Sequence, residues 1–185
     1  MVLRMENGDA WALLARLIRE NFGRTELPRV ARMESGKPWF PDVPGLHFNL
    51  SHSGSLALCG ADEAPLGVDV ERVRPRRAGL ARYVLSEKEF VWFQDRGGDW
   101  GSLYTLWTLK EAKVKCLGTG LRQAPRTIGV PLLEPGQTGE QDGLRFGAYA
   151  GPDWRAAVCT AGKEPLPRQV EGGVAAKIMA PGAGD

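Results

Sequence analysis

The chain has 185 residues, of which 43% are hydrophobic and 25% charged, and its formal net charge is +2. These values are typical of a soluble protein with one substantial core, and so small a charge gives no indication of a nucleic-acid partner. No segment approaches the roughly 20 apolar residues of a membrane span, and Arg4, Glu6 and Asp9 interrupt the apolar stretch that a signal peptide needs. We therefore expect neither a nucleic-acid partner nor a membrane partner.

The three cysteines, Cys59, Cys116 and Cys159, are odd in number, lack a CxxC spacing and lie among apolar neighbours. Disulfide frameworks and thiolate metal sites need paired or closely spaced cysteines. The pattern therefore favours buried free thiols in a reducing compartment, and the expected location is the cytoplasm.

The first half of the chain is predicted to contain a helix and a hairpin. Apolar residues at helical spacing over 9–22 predict an amphipathic helix, with Asp9 able to cap its start. Two short apolar runs at 46–51 and 55–60 flank a turn, which places His52 near the tip of a hairpin.

The next elements predicted are a strand at 66–71 and two helices, at about 86–95 and 100–117. Ser86, followed three residues later by Glu89, is the pattern of a capping box at the start of the first of these helices. The strand and the second helix carry most of the candidate site residues discussed below.

The last third of the chain is predicted to hold one hairpin between irregular segments. Residues 121–142 are rich in Pro, Gly and Gln and are expected to be mostly loop. Strands at 144–150 and 154–160 form the hairpin. Beyond residue 162, frequent Pro and Gly predict a tail that is largely mobile.

A coarse repeat is visible, because helix, loop and hairpin follow one another over 9–60 and again over 100–160. This order indicates an α+β fold with two similar halves. We expect an N-terminal half at 1–65, a C-terminal half that carries a metal site at 66–162, and a flexible tail at 163–185. An internally duplicated chain of this length fits a monomer.

Asp69 and Glu71 are the first candidate site residues. They alternate with Val68 and Val70 along one predicted strand, so both carboxylates lie on the same face. Their Cα atoms are about 7 Å apart, from a rise of about 3.3 Å per residue, and their side chains can converge on one ion. Two interpretations remain open: a strand with an acidic outer face, or a pair of metal ligands.

Glu111 lies one turn after Trp107 on the apolar stripe of a predicted helix. A carboxylate directed at a core is costly unless it is paired or bound to a metal. One interpretation is an ordinary helix-surface pair between Glu111 and Lys115, one turn further on. The other places Glu111 beside Asp69 and Glu71 around a hard cation, for which Mg2+ is suited.

His52 and Lys37 are candidates for binding a phosphate. His52 lies in a predicted turn between two serines, and Lys37 lies between Gly36 and Pro38, so both side chains are expected to be exposed donors. A Ser-His-Asp triad is not favoured, because Ser51 and His52 are adjacent and point to opposite sides of an extended segment. The chain also has no GxSxG elbow.

The order and spacing of these motifs resemble the Sfp-type 4'-phosphopantetheinyl transferases over about residues 9–160. The motifs that carry the resemblance are residues 36–38, 48–53, 67–71, 107–112 with Lys115, and 118–121. The most specific part is the acidic strand at 67–71, followed some 40 residues later by the helix motif that contains Glu111.

The resemblance implies a 4'-phosphopantetheinyl transferase-like α+β fold, with two similar halves related by pseudo-two-fold symmetry. It implies an enzyme of the holo-[acyl-carrier-protein] synthase type, which transfers the 4'-phosphopantetheine arm of CoA to a serine of an apo acyl or peptidyl carrier protein. Adenosine 3',5'-bisphosphate is the second product. The alternatives are a shortened, non-catalytic relative that binds CoA or a carrier protein, and a different metal-dependent, phosphate-cleaving enzyme.

The resemblance also implies roles for individual residues. The ligands of Mg2+ would be Asp69, Glu71 and Glu111. The catalytic residues would be Glu111, as the base for the acceptor serine directly or through water, and Lys115, which would contact the phosphates. The residues that line the CoA site would be Lys37, Asn49, Ser51, His52 and Lys115.

Larger members of this family carry a leading segment with a strand and with basic residues that hold the 3'-phosphate of CoA. The present chain is expected to start close to its first helix and to lack that segment. A later loop contains Arg72, Arg74, Arg76 and Arg77. This basic loop is either a landing surface for an acidic carrier protein or an ordinary solvated loop.

Overall fold

The described residues fold into two main antiparallel sheets, each with a helix packed on its outer face, and a third, small two-stranded sheet. The computed structural model describes residues 1–77, 79–120, 123–170 and 172. Its strands are β1 (Val2–Asn7), β2 (Ala31–Arg32), β3 (Pro38–Trp39), β4 (His47–Ser53), β5 (Leu56–Asp62), β6 (Leu66–Arg72), β7 (Thr138–Gln141), β8 (Leu144–Ala150) and β9 (Trp154–Thr160). Its helices are α1 (Ala10–Asn21), α2 (Leu80–Val84), α3 (Glu87–Asp95) and α4 (Trp100–Leu117), with a 3₁₀ turn at Pro125–Thr127.

The helix termini follow the capping signals of the sequence. The Asp9 side chain accepts a hydrogen bond from the backbone of Ala12 at the start of α1. Ser86 and Glu89 form the predicted capping box of α3. At the end of α4, Gly118 adopts a left-handed conformation with φ 68°, which a residue without Cβ reaches at no steric cost.

The two sheets share a strand order that matches the predicted repeat. The first sheet has the order β1-β5-β4 and the second has the order β6-β9-β8-β7. In each sheet the opening strand pairs antiparallel with the closing strand of a hairpin, as β1 does with β5 and β6 with β9. The predicted α+β fold is confirmed, and the shared strand order is consistent with two similar halves. A pseudo-two-fold axis between the halves and the division of the chain at residues 65 and 162 stay predictions.

The core is layered because successive side chains of each strand point to opposite faces. In β5, Ala57 and Cys59 pack against α1, whereas Leu56 and Leu58 pack between the two sheets. The outer face of the second sheet is covered by α4. Complete burial of a side chain such as Leu58 stabilises the fold by about 2 kcal/mol.

The turn between β4 and β5 differs slightly from the prediction. Ser53 pairs with Leu56, so the turn consists of Gly54 and Ser55. Gly54 has φ 60°, as the first central residue of a type II′ turn requires. His52 is therefore a residue of β4 and lies before the tip of the hairpin.

Several elements were not predicted. Strand β1, which precedes α1, is the first of these. Strand β7 lies in the predicted loop at 121–142, and α2 and the β2–β3 pair are further additions. The β7–β8 turn consists of Asp142 and Gly143, both at positive φ, and an Asp-Gly pair is a hairpin signal that could have revealed β7.

The start of the predicted flexible tail packs on the sheets. Leu166 and Val170 are buried in the same cluster as Leu3 and Met5 of β1. The prediction of a mobile tail over 173–185 lies outside the described residues. Cys59, Cys116 and Cys159 are free and buried, as predicted.

A membrane span needs a long, uniformly apolar helix. Among the helices of the described ranges, none is long and apolar enough to cross a membrane.

Candidate active site

A glycine on β6 allows an unusually close approach of α4. A Cβ placed on Gly67 would lie 2.2 Å from the carbonyl oxygen of Ala112, so a side chain at this position would push the helix away from the strand. Asp69 is two residues further along β6 and lies on the same face. The close contact therefore brings Glu111 and Lys115 of α4 next to Asp69.

The space between β4, β6 and α4 is a cleft of about 360 Å³. Its walls are formed by Leu50, Ser51, His52, Asp69, Glu71, Trp107, Glu111 and Lys115. The structure thus places six of the eight predicted site residues around one cavity. The other two, Lys37 and Asn49, line an adjoining pocket of about 230 Å³ that shares Leu50 and Lys115 with the cleft.

Asp69 is the most deeply placed carboxylate of the cleft, with 4% of its surface exposed. One of its oxygens, Oδ1, accepts hydrogen bonds from the Lys115 ammonium at 2.6 Å and from the Ser51 hydroxyl at 2.8 Å. Burial raises the pKa of the Asp69 carboxyl, and the two donors oppose this shift by favouring the charged form. Lys115 therefore pairs with the strand carboxylate Asp69, across the boundary between helix and sheet.

Glu111 lies on the opposite wall of the cleft from the two strand carboxylates. Burial raises its pKa to about 7, and the negative charges of Asp69 and Glu71 add to the shift while Lys115 opposes it. A carboxyl group with this pKa changes protonation state near neutral pH, which is suited to a general base.

Two carboxylate oxygens of the cleft are buried without a hydrogen-bond donor. Within the part of the chain that the structure describes, no group donates to Oδ2 of Asp69 or to Oε1 of Glu111. An unpaired buried acceptor costs about 1–3 kcal/mol, and a cation satisfies such oxygens. The donor set consists of carboxylates, which hard divalent cations prefer.

The carboxylates do not form a closed ligand shell in this arrangement. Among the described residues, no three His, Cys, Asp or Glu side chains have their donor atoms close enough to hold a metal ion. One oxygen of Glu71 accepts a hydrogen bond from Ser53, as one oxygen of Asp69 does from Ser51. The residues fit a Mg2+ site in which protein supplies some ligands and water or phosphate supplies the others.

Lys37 is less exposed than its position between a glycine and a proline suggested. Its ammonium is half-buried and donates to the backbone carbonyls of Leu66 at 3.1 Å and Cys116 at 2.8 Å. Burial lowers the pKa of the Lys37 ammonium. Lys37 therefore joins the β2–β3 hairpin to β6 and α4, and at most one of its three N–H groups is left for a ligand.

A second, more apolar pocket adjoins the cleft. It has a volume of about 430 Å³, and Glu71 and Trp107 line both cavities. Its other lining residues are Arg76, Arg77, Leu80, Tyr83, Val84, Leu103 and Tyr104. Arg76 donates a hydrogen bond to the Tyr104 hydroxyl at 2.8 Å. Arg72, which was expected in the basic loop, is the last residue of β6 and is paired with Asp153.

The comparison with known proteins identifies the family of the chain. The family model of the 4'-phosphopantetheinyl transferase superfamily matches residues 65–162, which is more than half of the chain. The chain belongs to this superfamily. The matched segment includes all three carboxylates and Lys115.

Curated 4'-phosphopantetheinyl transferases are similar to the chain over long segments. Transferase Sfp of Bacillus subtilis (strain 168) is 33% identical over 141 residues, covering 72% of this chain and 63% of its own length. Transferase ffp of Bacillus subtilis is 36% identical, covering 59% and 50%. AcpT of Salmonella typhi is 39% identical, covering 50% of each chain. The chain therefore spans about half to three-fifths of the length of these 4'-phosphopantetheinyl transferases.

Two polar contacts of this 4'-phosphopantetheinyl transferase family member, one partly buried and one buried, were not predicted from the sequence. Ser53 donates to Glu71, and Lys110, next to Glu111, forms a buried ion pair with Glu89. The signal for Ser53 was available, because it is two residues after Ser51 and so lies on the same face of β4. The partner of Lys110 was not predictable, since it comes from a different helix.

Proposed function

We propose that this chain transfers the 4'-phosphopantetheine arm of CoA to a serine hydroxyl of an apo acyl or peptidyl carrier protein. The products are the holo carrier protein and adenosine 3',5'-bisphosphate. The observation that carries this proposal is the cleft in which Glu111, with a pKa near 7, faces Asp69 and its partner Lys115. Membership of the 4'-phosphopantetheinyl transferase superfamily supports the choice of substrate.

Asp69, Glu71 and Glu111 would hold the Mg2+ ion. The support for this assignment is that Asp69 and Glu111 each keep one buried oxygen without a donor. When bound there, Mg2+ supplies positive charge that polarises the pyrophosphate of CoA toward attack. The protein contributes the fixed orientation of the carboxylates and the exclusion of water from the floor of the cleft.

Glu111 would accept the proton of the attacking serine, directly or through a water molecule. A serine hydroxyl is a poor nucleophile until a base removes its proton, and a base is most effective when its pKa is near the working pH. In the metal-free cleft, burial raises the pKa of Glu111 to about 7, which brings it into this range. A carboxylate that also contacts a cation is a weaker base than a free carboxylate. Glu111 can still accept the serine proton through a bridging water molecule.

Lys115 would stabilise the charge that develops on the leaving phosphate. Its ammonium lies in the cleft and uses two N–H groups on Asp69 and Ser51. The third N–H is available to a phosphate oxygen. A fixed cation beside a developing negative charge lowers the barrier of phosphoryl transfer without rearranging during the reaction.

CoA would extend from the cleft into the small pocket beyond Lys115. Lys37 and Asn49 line that pocket, while Ser51 and His52 line the cleft itself. His52 is exposed on the rim, where an imidazole can donate to a phosphate. Asn49 is buried and its amide oxygen already accepts from Val68, so it shapes the pocket more than it contributes charge.

The carrier protein would dock near the apolar pocket on the other side of the cleft. Arg76 and Arg77 line this pocket and Arg74 precedes them in the same loop; all three are exposed and complement an acidic partner. We further propose that the protein acts as a monomer and is located in the cytoplasm, where its buried cysteines remain reduced.

The function is tested by incubating the purified chain with CoA, Mg2+ and a panel of apo carrier proteins, and by measuring intact mass. We expect a mass increase of one phosphopantetheine on at least one carrier. The variant Glu111→Gln should lower turnover at least 100-fold, consistent with the loss of a general base or metal ligand. Glu87→Gln, at an exposed position on α3, should react like the parent.

Three other outcomes contradict the proposal. CoA binding without product on any carrier would indicate a non-catalytic binding protein. Release of inorganic phosphate or AMP from nucleotides, with CoA inert, would indicate a different phosphate-cleaving enzyme. Near-normal turnover of folded Glu111→Gln would overturn the assignment of Glu111.

A further inference from the structure

Along the outer edge of β6, side chains of β4 accept the backbone hydrogen bonds that a neighbouring strand would otherwise accept. Strand β6 is the edge strand of the second sheet, so every second N–H group points away from its partner β9. Three β4 side-chain oxygens accept these N–H groups: Asn49 from Val68 at 2.9 Å, Ser51 from Val70 at 3.2 Å and Ser53 from Arg72 at 3.0 Å. The two main sheets are therefore joined by a row of polar side chains at every second residue of β4.

The two serines of this row do more than close the edge. A hydroxyl can accept and donate at the same time. Ser51 accepts from the backbone of β6 and donates to Asp69 at 2.8 Å. Ser53 accepts from the backbone one step further along and donates to Oε2 of Glu71 at 2.8 Å. Each serine thus accepts from one N–H group of β6 and donates to the carboxylate of the residue that precedes that N–H group.

Glu71 needs such a contact more than Asp69 does. Asp69 is buried and is held by Lys115 as well as by Ser51. Glu71 is only partly buried and lines both the cleft and the apolar pocket, whose wall also contains Arg76. The Ser53 hydroxyl is the only hydrogen-bond partner of Glu71 identified among the described residues, so it is the contact that fixes the direction of this carboxylate between the two cavities.

We propose that Ser53 is a positioning residue that holds the Glu71 carboxylate toward the cleft as a ligand of the divalent cation. This inference rests on the proposed function, because it assumes that the cleft binds a cation. Ser53 itself does not contact the substrate. Loss of a residue that orients a ligand typically weakens metal binding by about 10–100-fold.

The experiment compares Mn2+ binding by the parent and by serine variants, using the electron paramagnetic resonance signal of free Mn2+ in the absence of CoA. We expect Ser53→Ala to raise the dissociation constant for Mn2+ about tenfold, with a melting temperature lowered by only a few degrees. Ser53→Thr, which keeps the hydroxyl, should restore most of the affinity. Ser55→Ala is the matched control, because Ser55 lies in the same hairpin and contacts Asn7 and Arg72 but no carboxylate of the cleft.

Steady-state kinetics supply a second readout. For Ser53→Ala, the Mg2+ concentration that gives half-maximal turnover should rise by a similar factor, while kcat at saturating Mg2+ should fall by less than threefold. A merely structural role for Ser53 would lower the melting temperature without changing the metal requirement.

The outcomes separate this inference from the function on which it rests. Unchanged Mn2+ affinity in Ser53→Ala, with tight binding in the parent, overturns the role of Ser53 and leaves the proposed transferase reaction standing. Failure of Ser53→Thr to restore the affinity also overturns it, provided that variant is folded. Absence of Mn2+ binding in the folded parent overturns the cation site and the role of Ser53 together.

Discussion

The Lys115 ammonium lies 2.6 Å from the Asp69 carboxylate, and this ion pair joins α4 to β6 inside the cleft. Asp69 is buried, whereas Lys115 is partly exposed at the cleft wall. The pair therefore has a structural effect as well as the catalytic one proposed above. It holds the helix and the strand together at the place where the carboxylates meet.

The first prediction concerns the contribution of this ion pair to the free energy of unfolding of the protein. Lys115→Met should destabilise the metal-free protein by about 2 kcal/mol, because it leaves the buried Asp69 carboxylate without its cation. The double variant Lys115→Met/Asp69→Asn should recover much of that loss. Urea unfolding of both single variants and the double variant measures the coupling. Lys88→Met, at an exposed site, is the control, and simple additivity of the two single effects would contradict the prediction.

The second prediction concerns pH. The pKa of Glu111 is about 7 in the folded protein and near its ordinary value of 4.5 in the unfolded chain. The folded state therefore binds the proton more tightly, and stability is lost as the pH rises from about 4.5 through 7. In EDTA, the melting temperature of Glu111→Gln should be a few degrees above that of the parent at pH 8. At pH 5 the two melting temperatures should be nearly equal.

Melting curves measured between pH 5 and pH 8 check this prediction. Glu87→Gln is the control, and its difference from the parent should stay constant with pH. A Glu111→Gln variant that is less stable than the parent at pH 8 would show that the carboxylate is stabilised in the folded protein by partners of its own.

The third prediction concerns the contact between α4 and β6. Gly67→Ala should destabilise the fold by about 2 kcal/mol or more, because its Cβ would lie 2.2 Å from the backbone oxygen of Ala112. Gly162→Ala is a milder control, since its closest contact would be the Ala64 Cβ at 3.1 Å. Equal unfolding midpoints for the two variants would show that α4 can move away from β6 without cost.

The fourth prediction concerns the lysine that precedes Glu111. Lys110 is 1% exposed and lies 2.8 Å from Glu89, and its ammonium also donates to the carbonyls of Pro125 and Ile128. Lys110→Met should lower stability by about 3–5 kcal/mol, because it leaves a buried carboxylate and two carbonyls without this donor. Adding Glu89→Gln should recover part of the loss in thermal or urea unfolding. Lys113→Met, whose partner Asp142 is exposed, should cost less.

Local signals in the sequence predicted most of the regular elements. The cap at Asp9, the capping box at Ser86 and the glycine at 118 are short-range features, and they placed α1, α3 and α4 within a residue or two. Short apolar or alternating segments bounded by turn residues did the same for β4, β5, β6, β8 and β9. Strand β7 was missed because it is a short, mostly polar edge strand, whose pairing depends on β8 and not on its own pattern.

The sequence by itself also determined which residue types gather in the cleft. The alternation of β6 put Asp69 and Glu71 on one face, and the period of α4 put Glu111 and Lys115 one turn apart. The family resemblance then assigned these residues a common reaction.

Only the tertiary structure decided which atoms are partners. Helix spacing made Glu111 the expected partner of Lys115. Because α4 approaches β6 closely at Gly67, Lys115 instead donates to Asp69. One oxygen of Glu111 is left buried without a donor among the described residues. Tertiary packing likewise directs the Lys37 ammonium to backbone carbonyls and lets the Ser53 hydroxyl donate to Glu71. Such contacts join elements far apart in the chain, and their distances depend on packing between sheets and helices, which periodicity along one segment does not encode.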